Sequence, residues 1–247
     1  DVAFGRVSAL AGQAALHWIE EGVALCMDGA LDALVTAPVN KEGLALAGCK
    51  HAGHTGLLAE LTAAKSHVMM LVGGPLRVAL VTTHIPLRAV ADAITRERIL
   101  EVIALTSQWL KRIGIENPVL AVAGLNPHAG ENGCMGSEEL EVIGPAVQQA
   151  VEVGLSVIGP LPPDTIFYRA LNENWDAVVC MYHDQGLGPL KMLAFDQGVN
   201  VTLGLPIIRT SPDHGTAYDI AGQGVASPDS MVEAINLACR VAGVASE

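Results

Sequence analysis

Residues 119–131 read VLAVAGLNPHAGE, an aliphatic run that breaks into a polar turn at Asn126. A short run of this kind bounded by turn residues is typical of a strand. Segments of helical period lie on either side, at 96–113 and 138–153. Strands that alternate with helices in this way are the unit of a mainly parallel α/β sheet. The same alternation predicts further strands at 31–36, 67–72, 77–82, 155–158, 177–181 and 199–203, and helices at 7–27 and 229–242.

The composition excludes several classes of protein. Of the 247 residues, 51% are hydrophobic and 16% are charged, which is enough apolar material for a core and excludes intrinsic disorder. The 14 basic residues face 26 acidic ones, and the formal net charge is -12. A surface of this charge repels polyanions, so we expect neither nucleic acid nor an anionic membrane as a partner.

The cysteines and the apolar runs predict a cytoplasmic protein. The five cysteines are scattered and form no CxxC pair, which fits a reducing compartment better than a disulfide framework. No run approaches the roughly 18 apolar residues of a membrane span, and no basic-then-apolar leader opens the chain. The chain begins at Asp1 and enters a helical pattern without a leading strand, so we expect a further segment upstream.

Three histidines follow predicted strands directly. His84, His128 and His183 each lie just beyond the carboxyl end of such a strand, where parallel sheets bind their ligands. Neutral imidazoles suit zinc and other divalent metals, and three protein ligands leave positions open for a substrate. The sequence therefore predicts a shared metal site. The alternative is that each histidine only caps its loop.

Other polar residues suggest an anion site. His54 and Thr55 open a predicted helix after Gly53, and a helix N-terminus attracts anions. Asp164, after two prolines, is either a base or ligand or simply a helix cap.

The glycine-rich stretch near the carboxyl end carries Lys191, Asn200 and Arg209 among apolar residues. A cation is costly to bury unpaired, so Lys191 and Arg209 indicate an anionic ligand. The alternative is an internal ion pair with Asp184, Asp196 or Asp213. A Rossmann fingerprint is not found, since the nearest approach is only Gly222-Gln-Gly224.

Long motifs in the sequence resemble those of one enzyme family, the PdxA-type 4-hydroxythreonine-4-phosphate dehydrogenases. They are NPHAGE at 126–131, YHDQG at 182–186 and GLPIIRTSPDHGTA at 204–217. Shorter ones are VTAPVNK at 35–41, GHT at 53–55 and TTHIP at 82–86, so the resemblance covers nearly the whole chain. A Gly-Asp-Pro-rich turn in the family's first quarter has no counterpart here.

The resemblance implies a two-domain fold like that of isocitrate and isopropylmalate dehydrogenases, with mainly parallel sheets. Residues 1–45 and 190–247 would form an outer domain from both chain ends. Residues 46–189 would form a central domain with the metal ligands and the dimer interface. The active site would lie in a cleft at that homodimer interface.

The resemblance also implies roles for particular residues. The metal ligands would be His84, His128 and His183, the last from the partner subunit. The substrate contacts would be His54, Thr55, Lys191, Asn200 and Arg209. The adenosine part of NAD would be held by His214, Gly215, Thr216, Ala217, Asp219 and Ile220, with Asp219 at the ribose.

The implied reaction is oxidation of 4-phosphooxy-L-threonine by NAD, followed by loss of carbon dioxide to give 3-amino-2-oxopropyl phosphate for pyridoxal 5'-phosphate synthesis. One divalent ion (zinc, magnesium or cobalt) would serve both steps, and Asp164 or Lys191 would move the proton. NADP is the alternative cofactor. The alternative functions are a dehydrogenase of phosphoerythronate or phosphothreonate and a non-catalytic metal- or ligand-binding domain.

Overall fold

A computed structural model describes residues 2–51 and 53–243. The elements in chain order are α1 (Ala9–Met27), β1 (Ala33–Val35), α2 (Lys41–Leu46), α3 (His54–Leu61), β2 (Val68–Gly73), β3 (Leu76–Leu80), α4 (Val90–Ala93), α5 (Arg96–Arg112), β4 (Val119–Ala123), α6 (Gly144–Glu152), β5 (Ser156–Leu161), α7 (Ile166–Asn172), β6 (Ala177–Cys180), α8 (His183–Ala194), β7 (Val199–Leu203), β8 (Ile208–Pro212) and α9 (Asp229–Ala242). None of the described helices is both long and apolar enough to cross a membrane.

The chain divides into two compact units. The end unit comprises residues 1–67 and 196–247, and the central unit comprises residues 68–195. Like the expected outer domain, the end unit contains both chain ends, and it divides from the central unit at 67/68 and 195/196, where the expected domain boundaries are 45/46 and 189/190. Helix α3 belongs to the end unit because its buried Leu57 and Leu58 share a cluster with Ile19 and Val23 of α1. Helix α8 continues to Ala194 because it packs along β2 and β3.

In the central unit the strand order is β2-β3-β6-β4-β5. Strands β3, β6, β4 and β5 are parallel to their neighbours, whereas β2 is antiparallel to β3. The core of the unit is the buried face of these strands, filled by small aliphatic side chains such as Val78, Leu80, Ala121 and Val178. The parallel arrangement brings the carboxyl ends of β3, β6 and β4 to one edge, where the loops with His84, His183 and His128 begin.

In the end unit, β8 lies between β1 and β7. It is parallel to β1, with Ala33 opposite Ile208, and antiparallel to β7, with Val199 opposite Pro212. Helix α9 packs on this group of strands. The predicted α/β class with a mainly parallel sheet is therefore confirmed.

Strand β8 and helix α8 are among the elements that the sequence does not predict. Strand β8 is fully buried although Arg209, Thr210 and Ser211 are polar, so it lacks the apolar pattern that identifies a strand. Helix α8 contains Pro189 and two glycines, which are poor helix formers. One of them, Gly186, is needed because a Cβ there would lie 2.2 Å from Cγ1 of Val78 in β3.

Candidate active site

A buried cation lies at the centre of the end unit. Arg209 on β8 is only 3% exposed, and burial lowers its pKa to about 10. Its Nε and Nη2 donate to the Thr36 hydroxyl at 3.1 and 2.7 Å, and Nη1 donates to the Thr202 hydroxyl at 3.1 Å. Within the described ranges, no carboxylate pairs with this guanidinium, so the alternative of an internal ion pair is wrong for Arg209. A buried positive charge held only by hydroxyls can bind an anion.

His54, the first residue of α3, lies in the field of this cation. Burial and the charge of Arg209 together lower the pKa of His54 to about 4, so its ring is neutral at pH 7. Its Nε2 is buried and has no hydrogen-bond partner among the described atoms. Orphaned buried polar atoms are rare in native proteins and indicate a group that a ligand satisfies. A ligand that reaches Arg209 could supply that partner.

The remaining predicted substrate contacts are placed as follows. Thr55 is the second residue of α3 and is half-buried. Asn200 on β7 points to the same side as Thr202, since side chains two residues apart share a face of a strand. In the central unit, Nζ of Lys191 lies 5.9 Å above the Phe195 ring. Asp164 is exposed before α7, whose N-cap is Thr165, so Asp164 is not the helix cap.

Two of the three predicted metal ligands come together in the central unit. The rings of His84 and His183 lie 5.6 Å apart between centroids, tilted by 46°. Nδ1 of His183 donates to Oδ1 of Asp184 at 2.7 Å. A carboxylate on Nδ1 fixes the tautomer and leaves Nε2 with the lone pair that a metal needs. The pair therefore fits a divalent ion by the chemistry of its donors.

His128 is placed differently. It lies in the loop after β4, its side chain is 60% exposed, and its Nδ1 is 4.0 Å from Oε2 of Glu131. Among residues 2–51 and 53–243 of this single chain, no group of three or more His, Cys, Asp or Glu side chains is close enough to hold a metal ion. One chain thus supplies a pair of imidazoles, and His128 is not part of it.

A cleft of about 410 Å³ lies in the end unit beside the segment predicted to hold NAD. Five of the six predicted cofactor residues line it: His214, Gly215, Thr216, Ala217 and Ile220. The opposite wall consists of small and apolar residues of α1 and the loop after β1, including Ala15 and Val39. Most of the exposed lining of this cleft is apolar, which is common for small-molecule sites. Asp219 lies in the same short turn but is exposed and does not line the cleft.

Several residues that shape these sites were missed by the sequence analysis. Thr36 and Thr202 hold Arg209, Asp184 orients His183, and Tyr218 lines the cleft. Asp184 was considered only as an ion-pair partner of a cation. Because Asp184 directly follows His183, the sequence could have indicated the hydrogen bond between their side chains. No local pattern connects Thr36 with Arg209, which are 173 positions apart.

Comparison with known proteins decides the family. A family model described as pyridoxal phosphate biosynthetic protein PdxA matches residues 1–238. The chain belongs to this family. Membership confirms the resemblance that the motifs at 126–131, 182–186 and 204–217 predicted.

Two relatives of the PdxA-family chain carry different substrate names. A 4-hydroxythreonine-4-phosphate dehydrogenase of Desulforapulum autotrophicum is 56% identical over 228 residues, which are 92% of this chain and 67% of that protein. A D-threonate 4-phosphate dehydrogenase of Pectobacterium atrosepticum is 49% identical over 238 residues, 96% of this chain and 73% of that protein. Both are dehydrogenases, so the predicted oxidoreductase class is confirmed.

Solved structures support the same family and fold. The crystal structure of 4-hydroxythreonine-4-phosphate dehydrogenase from Klebsiella pneumoniae matches with a TM-score of 0.90 and 49% identity, covering 96% of this chain and 72% of that one. Isocitrate dehydrogenase from Methylococcus capsulatus matches with a TM-score of 0.50 and 13% identity, covering 94% of this chain and 80% of that one. The second match concerns the fold alone, and it agrees with the predicted isocitrate dehydrogenase-like fold.

Proposed function

We propose that the chain is an NAD-dependent dehydrogenase that converts 4-phosphooxy-L-threonine to 3-amino-2-oxopropyl phosphate and carbon dioxide, a step of pyridoxal 5'-phosphate synthesis in the cytoplasm. Family membership supports the reaction class. The observation that carries the substrate class is the buried Arg209, whose partners in the described part of the chain are two hydroxyls and no carboxylate. Such a cation in a protein of net charge -12 is a site for a small anion.

The end unit would bind the charged ends of the substrate. Arg209 offers its guanidinium to a phosphate or carboxylate, and Nε2 of His54 is placed to bond the same anion. A phosphate that carries a proton can donate it to the neutral imidazole. Thr55 and Asn200 would add neutral hydrogen bonds. These contacts select an acid phosphate over an uncharged alcohol.

The central unit would supply the reacting groups. His84 and His183 would hold a divalent ion, which would supply Lewis-acid chemistry at the substrate's hydroxyl and carbonyl oxygens. The substrate's C–H hydride passes to NAD and its hydroxyl proton passes to a base. Two residues are candidates for moving that proton. They are Asp164, which is exposed and does not cap helix α7, and Lys191.

We further propose that the third metal ligand, His128, comes from a second copy of the chain. Among the described residues of one chain, the rings of His84 and His183 lie together and no group of three metal-ligating side chains forms, which supports a site completed by a second subunit. This proposal replaces the expectation that His183 is the partner's ligand. Exposed apolar side chains in the central unit, Met135, Leu140 and Met192, would be covered in such a dimer.

D-threonate 4-phosphate is the second candidate substrate, since a 49% identical relative is named for it. The two acids differ only at the carbon next to the carboxylate, which carries an amine in one and a hydroxyl in the other. Both can be oxidised at the neighbouring carbon to a β-keto acid and then decarboxylated. The described contacts of Arg209 and His54 serve either substrate.

The deciding experiment compares NADH formation from the two acid phosphates with zinc, magnesium or cobalt added in turn. We expect one acid to give a kcat/KM at least tenfold above the other, because a site that hydrogen-bonds one substituent penalises its replacement. Arg209→Lys should raise KM for that acid. If the protein binds zinc and phosphate but forms no NADH from either acid phosphate, the proposed reaction is overturned and a non-catalytic binding domain is favoured.

A further inference from the structure

Residues 124–126, which join β4 to the loop carrying His128, are held by two buried polar side chains from different elements. Nε2 of Gln185 on α8 donates to the Gly124 carbonyl at 2.7 Å. Oε1 of Glu139 accepts from the backbone N–H groups of Leu125 and Asn126, each at 2.7 Å. Three successive backbone positions are thus fixed immediately before the Pro127-His128 turn. We name these contacts the backbone clamp.

Gln185 connects this segment to the second histidine loop. Its Oε1 accepts from the Met181 N–H at 2.6 Å, two residues before His183, and the side chain is only 7% exposed. One amide group therefore ties the end of β6 to the end of β4. A change in its position would move both loops together.

Glu139 is the more unusual of the two residues. It is a carboxylate only 4% exposed, and no cation pairs with it within the described part of the chain. Its second oxygen, Oε2, accepts from Nδ2 of Asn126 at 3.0 Å. The loop closes around it, since a Cβ on Gly130 would lie 2.7 Å from Oε2 and one on Gly124 would lie 3.0 Å from Oε1. A buried carboxyl group is costly without hydrogen-bond partners, and here the backbone and side chain of the loop residues supply three donors.

The loop that follows needs such support. Residues 128–132 all have positive φ, and four of the five are not glycine: His128, Ala129, Glu131 and Asn132. The left-handed conformation is strained for a residue that has a Cβ. A run of this kind persists only where the surrounding structure determines it. The backbone clamp holds residues 124–126, which connect β4 to this run of positive φ angles.

We propose that Glu139 and Gln185 are positioning residues that lock the backbone of residues 124–126 and thereby place His128 for metal binding. This role rests on the proposed function for its consequence, the metal site, but the clamp itself consists of contacts within one unit. Both side chains bond to the backbone that precedes the loop. They act through the loop that bears the ligand.

The test compares Glu139→Gln and Gln185→Met with the matched exposed controls Glu152→Gln and Gln148→Met on α6, all in the full chain. Hydrogen exchange of the Leu125 and Asn126 amides is measured relative to the β4 amides of the same molecule. We expect faster exchange at 125–126 in both clamp variants and in neither control. Zinc affinity, from competition with a chelator, should fall about 10–100-fold, the usual effect of removing a group that orients a ligand.

Unchanged exchange at 125–126 in folded Glu139→Gln and Gln185→Met would overturn the clamp. Faster exchange with unchanged zinc affinity would overturn the positioning role and leave a purely structural one. If the unaltered protein binds no zinc, the proposed metal site fails, while the exchange comparison still decides whether the clamp exists. Because the exchange is referenced to β4, a general loss of stability is not mistaken for release of the loop.

Discussion

Arg209 and Thr36 are 173 positions apart in the chain, and the guanidinium donates two hydrogen bonds to this one hydroxyl oxygen. The contact exists because β1 and β8 are parallel neighbours, with Val35 opposite Thr210. A hydroxyl neutralises none of the positive charge. The pair therefore fixes the direction of the guanidinium while leaving its charge for an anion.

Thr36→Val tests this arrangement. The variant keeps the shape of the side chain but removes the acceptor of two Arg209 donors. A hydrogen bond to a charged group contributes about 1.5–3 kcal/mol, and the two Arg209 donors share this one acceptor, so we expect the free energy of unfolding to fall by about 2 kcal/mol and phosphate affinity to fall about tenfold. Urea unfolding and calorimetry with inorganic phosphate measure the two effects. The control is Thr106→Val, whose buried hydroxyl bonds only the Val102 carbonyl of its own helix. Equal effects of both substitutions on phosphate binding would refute the role of Thr36.

The depressed pKa of His54 predicts a stability that depends on pH. In the folded state the pKa is about 4, whereas in the unfolded chain it is near the ordinary value of 6.5. Between these values the unfolded chain binds more protons, so stability is complete above about pH 6.5 and is lost as pH falls towards 4. The slope has an upper limit of about 1.4 kcal/mol per pH unit.

Urea unfolding from pH 7.5 to 4.5 measures this slope. His54→Gln should flatten the curve, and His17→Gln, at an exposed position of α1, should not. A bound phosphate would favour the protonated ring, so saturating phosphate should also flatten the curve of the unaltered protein. A curve for His54→Gln parallel to that of the unaltered protein would refute the assignment.

The two units differ in how much of them the sequence could predict. In the central unit, each of His84, His128 and His183 follows an apolar run, and a run that ends at a polar residue is visible without a structure. In the end unit, Arg209 lies on β8, whose polar residues are buried because neighbouring elements pack around them. Their hydropathy alone does not predict a buried strand. The cost of burying a cation therefore draws attention to Arg209 in the sequence, but its strand and its hydroxyl partners are visible only in the fold.

Contacts between distant parts of the chain account for the rest. Glu139 reads as one of several acids at the start of a helical segment, and only the fold shows that it accepts bonds from residues 125 and 126. Likewise, Gln185 was quoted within the YHDQG motif, but its bonds to Gly124 and Met181 depend on β4 and β6 being neighbours. Local sequence cannot determine these contacts, because each depends on strand order.

Mixed dimers test which subunit supplies His128. His128→Ala and His84→Ala should each lose zinc as pure proteins while keeping the fold, because loop residues contribute little to the core. If His128 comes from the partner, a dimer with one chain of each kind has one intact site. Random mixing of equal amounts should then restore about a quarter of the sites by the symmetry of a two-chain assembly. Zinc content and activity of the remixed protein are the measurements. No recovery after verified exchange of subunits would place His84 and His128 in the same chain and overturn this assignment, and sedimentation as a monomer would contradict the dimer.

Asp219 is predicted to select NAD over NADP. It is exposed in the turn Tyr218–Ile220, beside the cleft of about 410 Å³ but outside its lining, so it can meet only a group at the mouth of the cleft. A carboxylate there accepts hydrogen bonds from the ribose hydroxyls of NAD and repels the extra phosphate of NADP. We therefore expect a preference for NAD that Asp219→Ser weakens by about tenfold, measured as the ratio of kcat/KM for the two cofactors. Asp32→Ser, an exposed acid of the same unit, controls for the change of net charge alone. Equal use of both cofactors by the unaltered protein, or the same shift in both variants, would show that Asp219 does not select the cofactor.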